Sequence, residues 1–333
     1  MQATAGLLGT TTGKWVCQIM AAEGVIGVLG NLLVCYVILR VKFLHNMTNY
    51  LLVNLAVADM LLCLAVFFSS LTAVPDCIFI DYVPASFGGK MLFCRLVASG
   101  FLTWALSYVS AYNLCVVTLE RYVAILHPLH YARKLTATRM KILIALMWVT
   151  SFVFSVPVLF SIEPSDDPDR ACSASKHSHW SLSVQFTKTF AFLTAYLLPL
   201  TLMSLAYYKI QVTLKRQAKA LNLQHARAAA YDLVIARRRL VSMLTIVLGA
   251  LIILWTPGYI HVLLCLGTAD ESQLSFCGTT SSKYVASMSA FAFYFNSVIN
   301  PIIYEFKYKK FKQGLKAAVC CCFSRHGNNR VDV

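Results

Sequence analysis

The stretch VSAYNLCVVTLERYVAILHP, from Val109 to Pro128, decides how the chain is read. No charge interrupts Val109 to Leu119, and then Glu120 and Arg121 stand side by side ahead of Tyr122. A charged pair at the end of such a run is costly in hydrocarbon, so it belongs where a helix meets water or protein. Stepping back from Arg121 by threes and fours gives Val117, Leu114, Ser110, Ser107 and Thr103, which share one helix face. At about 1.5 Å per residue, Thr103 and Arg121 stand roughly 27 Å apart, near the thickness of a bilayer core. One face thus joins a polar region around Thr103 to the charge at Arg121.

Composition agrees with a membrane helix. The 333 residues are 58% hydrophobic and only 13% charged, with mean hydropathy +0.66, and a water-soluble domain needs a more polar surface. Apolar runs near membrane length occur at about 16–39, 50–74, 96–119, 142–162, 184–208, 240–266 and 284–304. The expected fold is an all-α membrane protein, a seven-transmembrane helix bundle with a short amphipathic helix 8. The divisions expected are an extracellular N-terminus 1–14, the bundle 15–305, helix 8 at 306–319 and a cytoplasmic tail 320–333.

The net charge of +15 follows from topology and does not call for nucleic acid. With alternate loops on opposite sides, Lys14, Lys90, Arg95, Arg170, Lys176, Lys188 and Lys283 lie on the N-terminal side, leaving 22 of the 29 basic residues on the other. Positive loops stay in the cytoplasm, so the N-terminus is expected outside and the chain in the plasma membrane. Residues 1–14 lack the features of a cleavable signal, and the first span is expected to act as its own insertion signal. The sequon Asn46-Met47-Thr48 falls on the cytoplasmic side and should carry no glycan.

The Glu120-Arg121-Tyr122 triplet, with Pro128 and Leu129 beyond it, resembles the end of helix 3 in the rhodopsin-like G-protein-coupled receptors. Other motifs follow in the matching order. Asn31 resembles the helix 1 asparagine and Asp59 the helix 2 aspartate, while Trp148 and Pro157 fit helix 4, and Pro199 and Tyr207 helix 5. Trp255-Thr256-Pro257 resembles the kink of helix 6, and Asn300-Pro301-Ile302-Ile303-Tyr304 the end of helix 7.

The resemblance implies a receptor that catalyses nothing and shifts a pre-existing equilibrium toward a state that fits a heterotrimeric G protein. It places Glu120, Arg121, Tyr122, Pro128, Leu129, Tyr207, Pro257, Pro301 and Tyr304 in activation and coupling. It implies a sodium pocket at Asp59, Ser110, Asn296 and Asn300, with Trp255 beside them, sodium being an allosteric ion rather than a cofactor of chemistry. It also implies a Cys94–Cys172 disulfide, although Cys94 stands 27 residues before Arg121, two more than the family pattern. Cys265–Cys277 and Cys17–Cys277 are both open as a second bridge, with Cys77 also near the outside.

An amine receptor of this family carries an Asp at the position of Thr103, and an opsin carries a Lys at the position of Tyr294; both classes are therefore disfavoured. The pocket implied by the resemblance is lined by Thr103, Ser107, Tyr108, Gln185, Trp255, Tyr259, His261 and Tyr294. Hydroxyls and aromatics without a central charge suit a neuropeptide, with a lipid or non-amine small molecule as the alternative. Asp166, Asp167 and Asp169 would attract a basic peptide. Glu23 reads as an interfacial carboxylate bathed in water, with ligand contact as the second reading.

On the inner side, Leu251 stands where the family usually has Phe, and Arg237 where many members have an acid that restrains Arg121. Two arginines repel, so ligand-free signalling is expected. Phe311, Leu315 and Val319 recur at fourfold spacing opposite Lys307, Lys310, Lys312 and Lys316, an amphipathic basic helix that meets membrane lipid. Cys320, Cys321 and Cys322 after it are candidates for palmitoylation. Ser324 is the only Ser or Thr of the tail after Tyr304 and Thr213 the only one of the third inner loop, so weak phosphorylation-dependent arrestin recruitment is expected. The C-terminal Val331-Asp332-Val333 matches a PDZ ligand only as a short motif. A transporter using Asp59 is the reading from another class, and the apolar stretch Leu114 to Leu119 argues against a polar path.

Overall fold

The computed structural model describes residues 10–73, 86–165, 172–174, 180–223, 228–265, 277 and 279–324. Seven long helices and one shorter one follow each other in the expected order. They are α1 (Thr10–Arg40), α2 (Met47–Ala73), α3 (Phe101–Leu126), α4 (Ala137–Ser155), α5 (Leu198–Leu223), α6 (Ala228–Leu264), α7 (Thr280–Lys307) and α8 (Lys309–Ser324). Among the described residues, six stretches are apolar and long enough to cross a membrane by length and composition alone. The seventh crossing, α7, is more polar because it carries Ser297, Asn296 and Asn300 inward.

Side chains supply the helix starts. Asn46 Oδ1 accepts from the Asn49 amide at 3.0 Å, so the sequon asparagine caps α2. Thr136 caps α4 through Arg139 N at 3.4 Å, and Thr279 caps α7 through Ser282 N at 3.1 Å. Pro157 begins the 3-10 turn Val156–Phe160 that ends α4. Pro257 and Pro301 lie inside α6 and α7, where each removes a backbone donor.

Ahead of α3 the chain forms a short helix, Phe87–Leu92, then a π turn, Phe93–Ala98, and then Gly100 at φ 74. A π turn holds more residues per unit of rise, and left-handed backbone at Gly100 separates it from α3. This accounts for the two additional residues before Arg121. Cys94 still meets Cys172, with Cα atoms 5.7 Å apart. Cys172 belongs to β2 (Cys172–Ala174), which pairs antiparallel with β1 (Ile162–Pro164). Cys265 pairs with Cys277, deciding between the two open bridges, and Cys17 is disulfide-bonded as well.

Helix α3 sits at the centre, against α2, α4 and α5, while α1 packs on α2, α7 and α8. The α1–α2 approach is unusually close. A Cβ on Gly24 would lie 2.9 Å from the Cys63 carbonyl oxygen and 2.9 Å from Phe67 Cβ. Replacing Gly24 with Val should therefore push α1 off α2 and destabilise the receptor by about 1–3 kcal/mol. A Cβ added at Gly249 would meet nothing within 4 Å, so Gly249→Ala is the matched control. Melting of the purified protein checks this, and equal melting of the two variants would refute the account.

Helix α8 folds back on α1. Phe311 and Ala318 are buried, and Gly314 lies so near Leu44 and Val37 that a Cβ would stand 2.6 Å from Leu44 Cδ1. The helix continues to Ser324, through Cys320, Cys321 and Cys322.

Candidate functional site

Three clusters run through the bundle from the disulfide-bearing end to the Arg121 end. The first is aromatic. Trp255 of α6 stacks on Phe293 of α7 with centroids 4.4 Å apart, Phe293 meets Trp104 of α3 at 6.1 Å, and Tyr259 stacks on Tyr196 at 4.8 Å. Tyr294 stands edge-on to Phe293 at 5.6 Å. The indole Nε1 of Trp255 and the hydroxyl of Tyr259 are buried without a hydrogen-bond partner. Buried polar groups seldom stay unpaired, so both keep unused hydrogen-bonding capacity.

Of the pocket residues read from the sequence, Trp255, Tyr259 and Tyr294 thus join one aromatic wall. Tyr108 is buried, its hydroxyl 2.9 Å from Thr194 Oγ1. Thr103 is buried, and its carbonyl accepts from Ser107 at 2.7 Å. His261 approaches Ser282 Oγ at 3.0 Å. Gln185 lies in the helix Trp180–Ala191, and its side chain lies outside the described residues. Trp104, Phe293 and Tyr196 were missed. Trp104 and Phe293 are sequence neighbours of Thr103 and Tyr294, and only helix rotation shows which of two neighbours faces inward.

The second cluster surrounds Asp59, whose side chain has no exposure. Its Oδ1 accepts from Ser110 and Ser297 Oγ, each at 2.8 Å, and its Oδ2 from Asn300 Nδ2 at 2.8 Å. Ser297 was not foreseen; it lies one residue from Asn296. Asn296 is buried with both ends of its amide unpaired, and Asn300 Oδ1 is unpaired as well. Asn31 ties α1 to α7 by donating to Ser297 O at 2.9 Å.

The third cluster is at the Arg121 end. Arg121 forks onto Glu120, the one ion pair among the described residues. Glu120 is buried and also accepts from Thr48 at 3.1 Å and from Tyr131 at 2.6 Å. Burial pushes the Tyr131 hydroxyl up to about 12, reinforced by Glu120, so it stays a donor across physiological pH. Tyr207 accepts from Thr118 at 2.8 Å, while the Tyr304 hydroxyl is buried and unpaired. Tyr122 is half-buried against His127, and Leu129, just after Pro128, is 91% exposed.

Two expectations change. Glu23 is not bathed in water: it is 5% exposed and faces α2 and α7, because Gly24 lets α2 close over that side of α1. Thr213 lies within α5 and not in a loop. Asp166, Asp167, Asp169, Cys77 and residues 325–333 lie outside the described residues.

The family pattern of the 7 transmembrane receptor (rhodopsin family) matches residues 30–304. The chain belongs to that family. Relatives of this rhodopsin-family receptor include the histamine H2 receptor of Homo sapiens, 28% identical over 321 residues, covering 96% of this chain and 83% of the relative. Trace amine-associated receptor 9 of Rattus norvegicus is 27% identical over 331 residues, covering 95% and 90%. These relatives are named for amines, so the placement near neuropeptide receptors gains no support from them. The receptor is a multi-pass membrane protein and not an enzyme.

Proposed function

We propose that this receptor is switched by a small extracellular ligand seated against the aromatic wall, and that a heterotrimeric G protein reads the change at the Arg121 end. The observation that carries this reading is the Trp255–Phe293 stack at 4.4 Å. It joins α6 next to Pro257 to α7 above Pro301, so a ligand that shifts either ring biases both helices that reach the inner side. The unpaired Trp255 and Tyr259 groups supply polar contacts at the same place. The names of the relatives favour an amine over the neuropeptide suggested by Thr103.

The disulfides at one end and the basic loops at the other support an extracellular N-terminus. The unpaired amide oxygens near Asp59 suit a hard cation, so sodium would be held by Asp59 with Ser110, Asn296 and Asn300. Bound there, it supplies positive charge to a buried carboxylate. Lipidation at Cys320, Cys321 and Cys322 would hold the end of α8 at the bilayer, and arrestin recruitment through phosphorylation would be weak.

The test is cyclic AMP and calcium output in cells challenged with small amines, amidated peptides and lipids, with Arg121→Ala as control. A small-molecule response lost in that control supports the reading; a response to peptides alone replaces it with a neuropeptide receptor.

A separate prediction concerns ligand-free output. Arg237 is half-buried and makes no ion pair among the described residues, and Arg121 pairs only within its own helix. Arg237→Glu should give Arg121 a second anion and lower basal output about threefold, the scale of a partly exposed pair. Unchanged basal cyclic AMP or calcium would refute the missing latch.

A further inference from the structure

Glu23 lies well inside α1, in a span that runs from Trp15 to Arg40. Its side chain faces a cleft lined by Gly24, Leu62, Cys63, Val66 and Tyr294, too narrow to admit a water molecule. Both carboxyl oxygens are buried without a hydrogen-bond partner, and no ion pair reaches them among the described residues. An ionisable group in this position is costly, and it marks a functional site unless something neutralises it. Asp59, one helical turn farther along α2 from Cys63, shows the contrast: three donors surround it.

The surroundings choose the missing partner. A metal cation needs several oxygen ligands, and the side chains lining the cleft offer oxygen only from the Glu23 carboxylate and the Tyr294 hydroxyl. An organic ammonium needs few hydrogen bonds and is also stabilised by aromatic faces. Such faces begin at this cleft, where Tyr294 meets Phe293 at 5.6 Å and Phe293 stacks on Trp255. We propose that Glu23 is the counterion for the ammonium group of a small amine, with the rest of the ligand lying along Tyr294, Phe293 and Trp255. The receptor would thus hold the charge from α1, where α3 offers only Thr103. The proposal rests on the aromatic wall being the ligand site and specifies the ligand's class. Binding requires Tyr294 to turn aside, because the cleft is closed, and that movement reaches α7 directly.

The experiment uses the full-length receptor in nanodiscs, with 2-phenylethylamine, tyramine and histamine as probes and 2-phenylethanol as the uncharged comparison. Thermal melting is recorded against probe concentration in choline chloride and again in sodium chloride. At least one amine should stabilise the wild type where 2-phenylethanol does not. Glu23→Gln should melt no lower than wild type without probe, since it removes an unpaired buried carboxyl, and should weaken the amine's effect about 100-fold. Glu23→Asp, which keeps the charge on a shorter arm, should retain part of it.

The proposal is overturned if no amine stabilises the wild type, if Glu23→Gln responds to amines like wild type, or if sodium alone gives the Glu23-dependent stabilisation. Failure of the broader reading looks different: an amine stabilises the wild type through Glu23, yet nucleotide exchange on an added G protein does not change.

Discussion

Arg121→Ala is expected to lower receptor-driven nucleotide exchange on a purified heterotrimeric G protein about 100-fold, the scale of losing a pair of charge-assisted hydrogen bonds. Among the described residues Arg121 has one ion-pair partner, Glu120, its neighbour in sequence, and Glu120 is also fixed by Thr48 and Tyr131. The Tyr304 hydroxyl at the same inner end is buried and lacks a partner. The guanidinium is thus a strong donor whose ion pair lies within its own helix, and under the proposed reading it would exchange that neighbour for the incoming G protein. Arg121→Lys keeps the charge without the fork and should recover only part of the exchange rate. Nucleotide exchange at the wild-type rate with Arg121→Ala would remove Arg121 from the coupling mechanism.

Asp59→Ala is expected to lower stability by about 3 kcal/mol or more, since hydroxyls of Ser110 and Ser297 and the Asn300 amide would each lose their acceptor in a buried site. These donors come from α3 and α7, so Asp59 joins three helices at one point. Ser297→Ala removes a single bond and should cost about 1–2 kcal/mol. The same residue tests the sodium site. Wild-type melting should rise when choline chloride is exchanged for sodium chloride, and Asp59→Asn should abolish that rise while keeping an acceptor for the hydroxyls. Asp59→Ala melting with wild type would show that the network carries no stability; equal sodium effects in wild type and Asp59→Asn would place the ion elsewhere.

Much of this could be read from local spacing. The helix run ending in Glu120-Arg121-Tyr122 and the kink prolines needed no tertiary information, because charge placement in hydrocarbon and the missing proline donor act within one helix. The Cys94–Cys172 bridge was implied by the family resemblance. Its two-residue surplus was visible, but the means of absorbing it was not: a π turn followed by Gly100 depends on where the disulfide holds the chain.

Periodicity says that a helix has an inner face, but it does not say which faces of two helices meet. That is why Ser297, Trp104, Phe293 and Tyr196 were missed, and why Glu23 looked like a solvated interfacial acid. By itself the sequence determined the membrane class, the order of seven helices and the family motifs, since these depend on run length and short-range spacing. Only the tertiary structure decided the Cys265–Cys277 pairing, the aromatic wall and the burial of Glu23, because each depends on how closely separate helices approach and which side chains they turn toward each other.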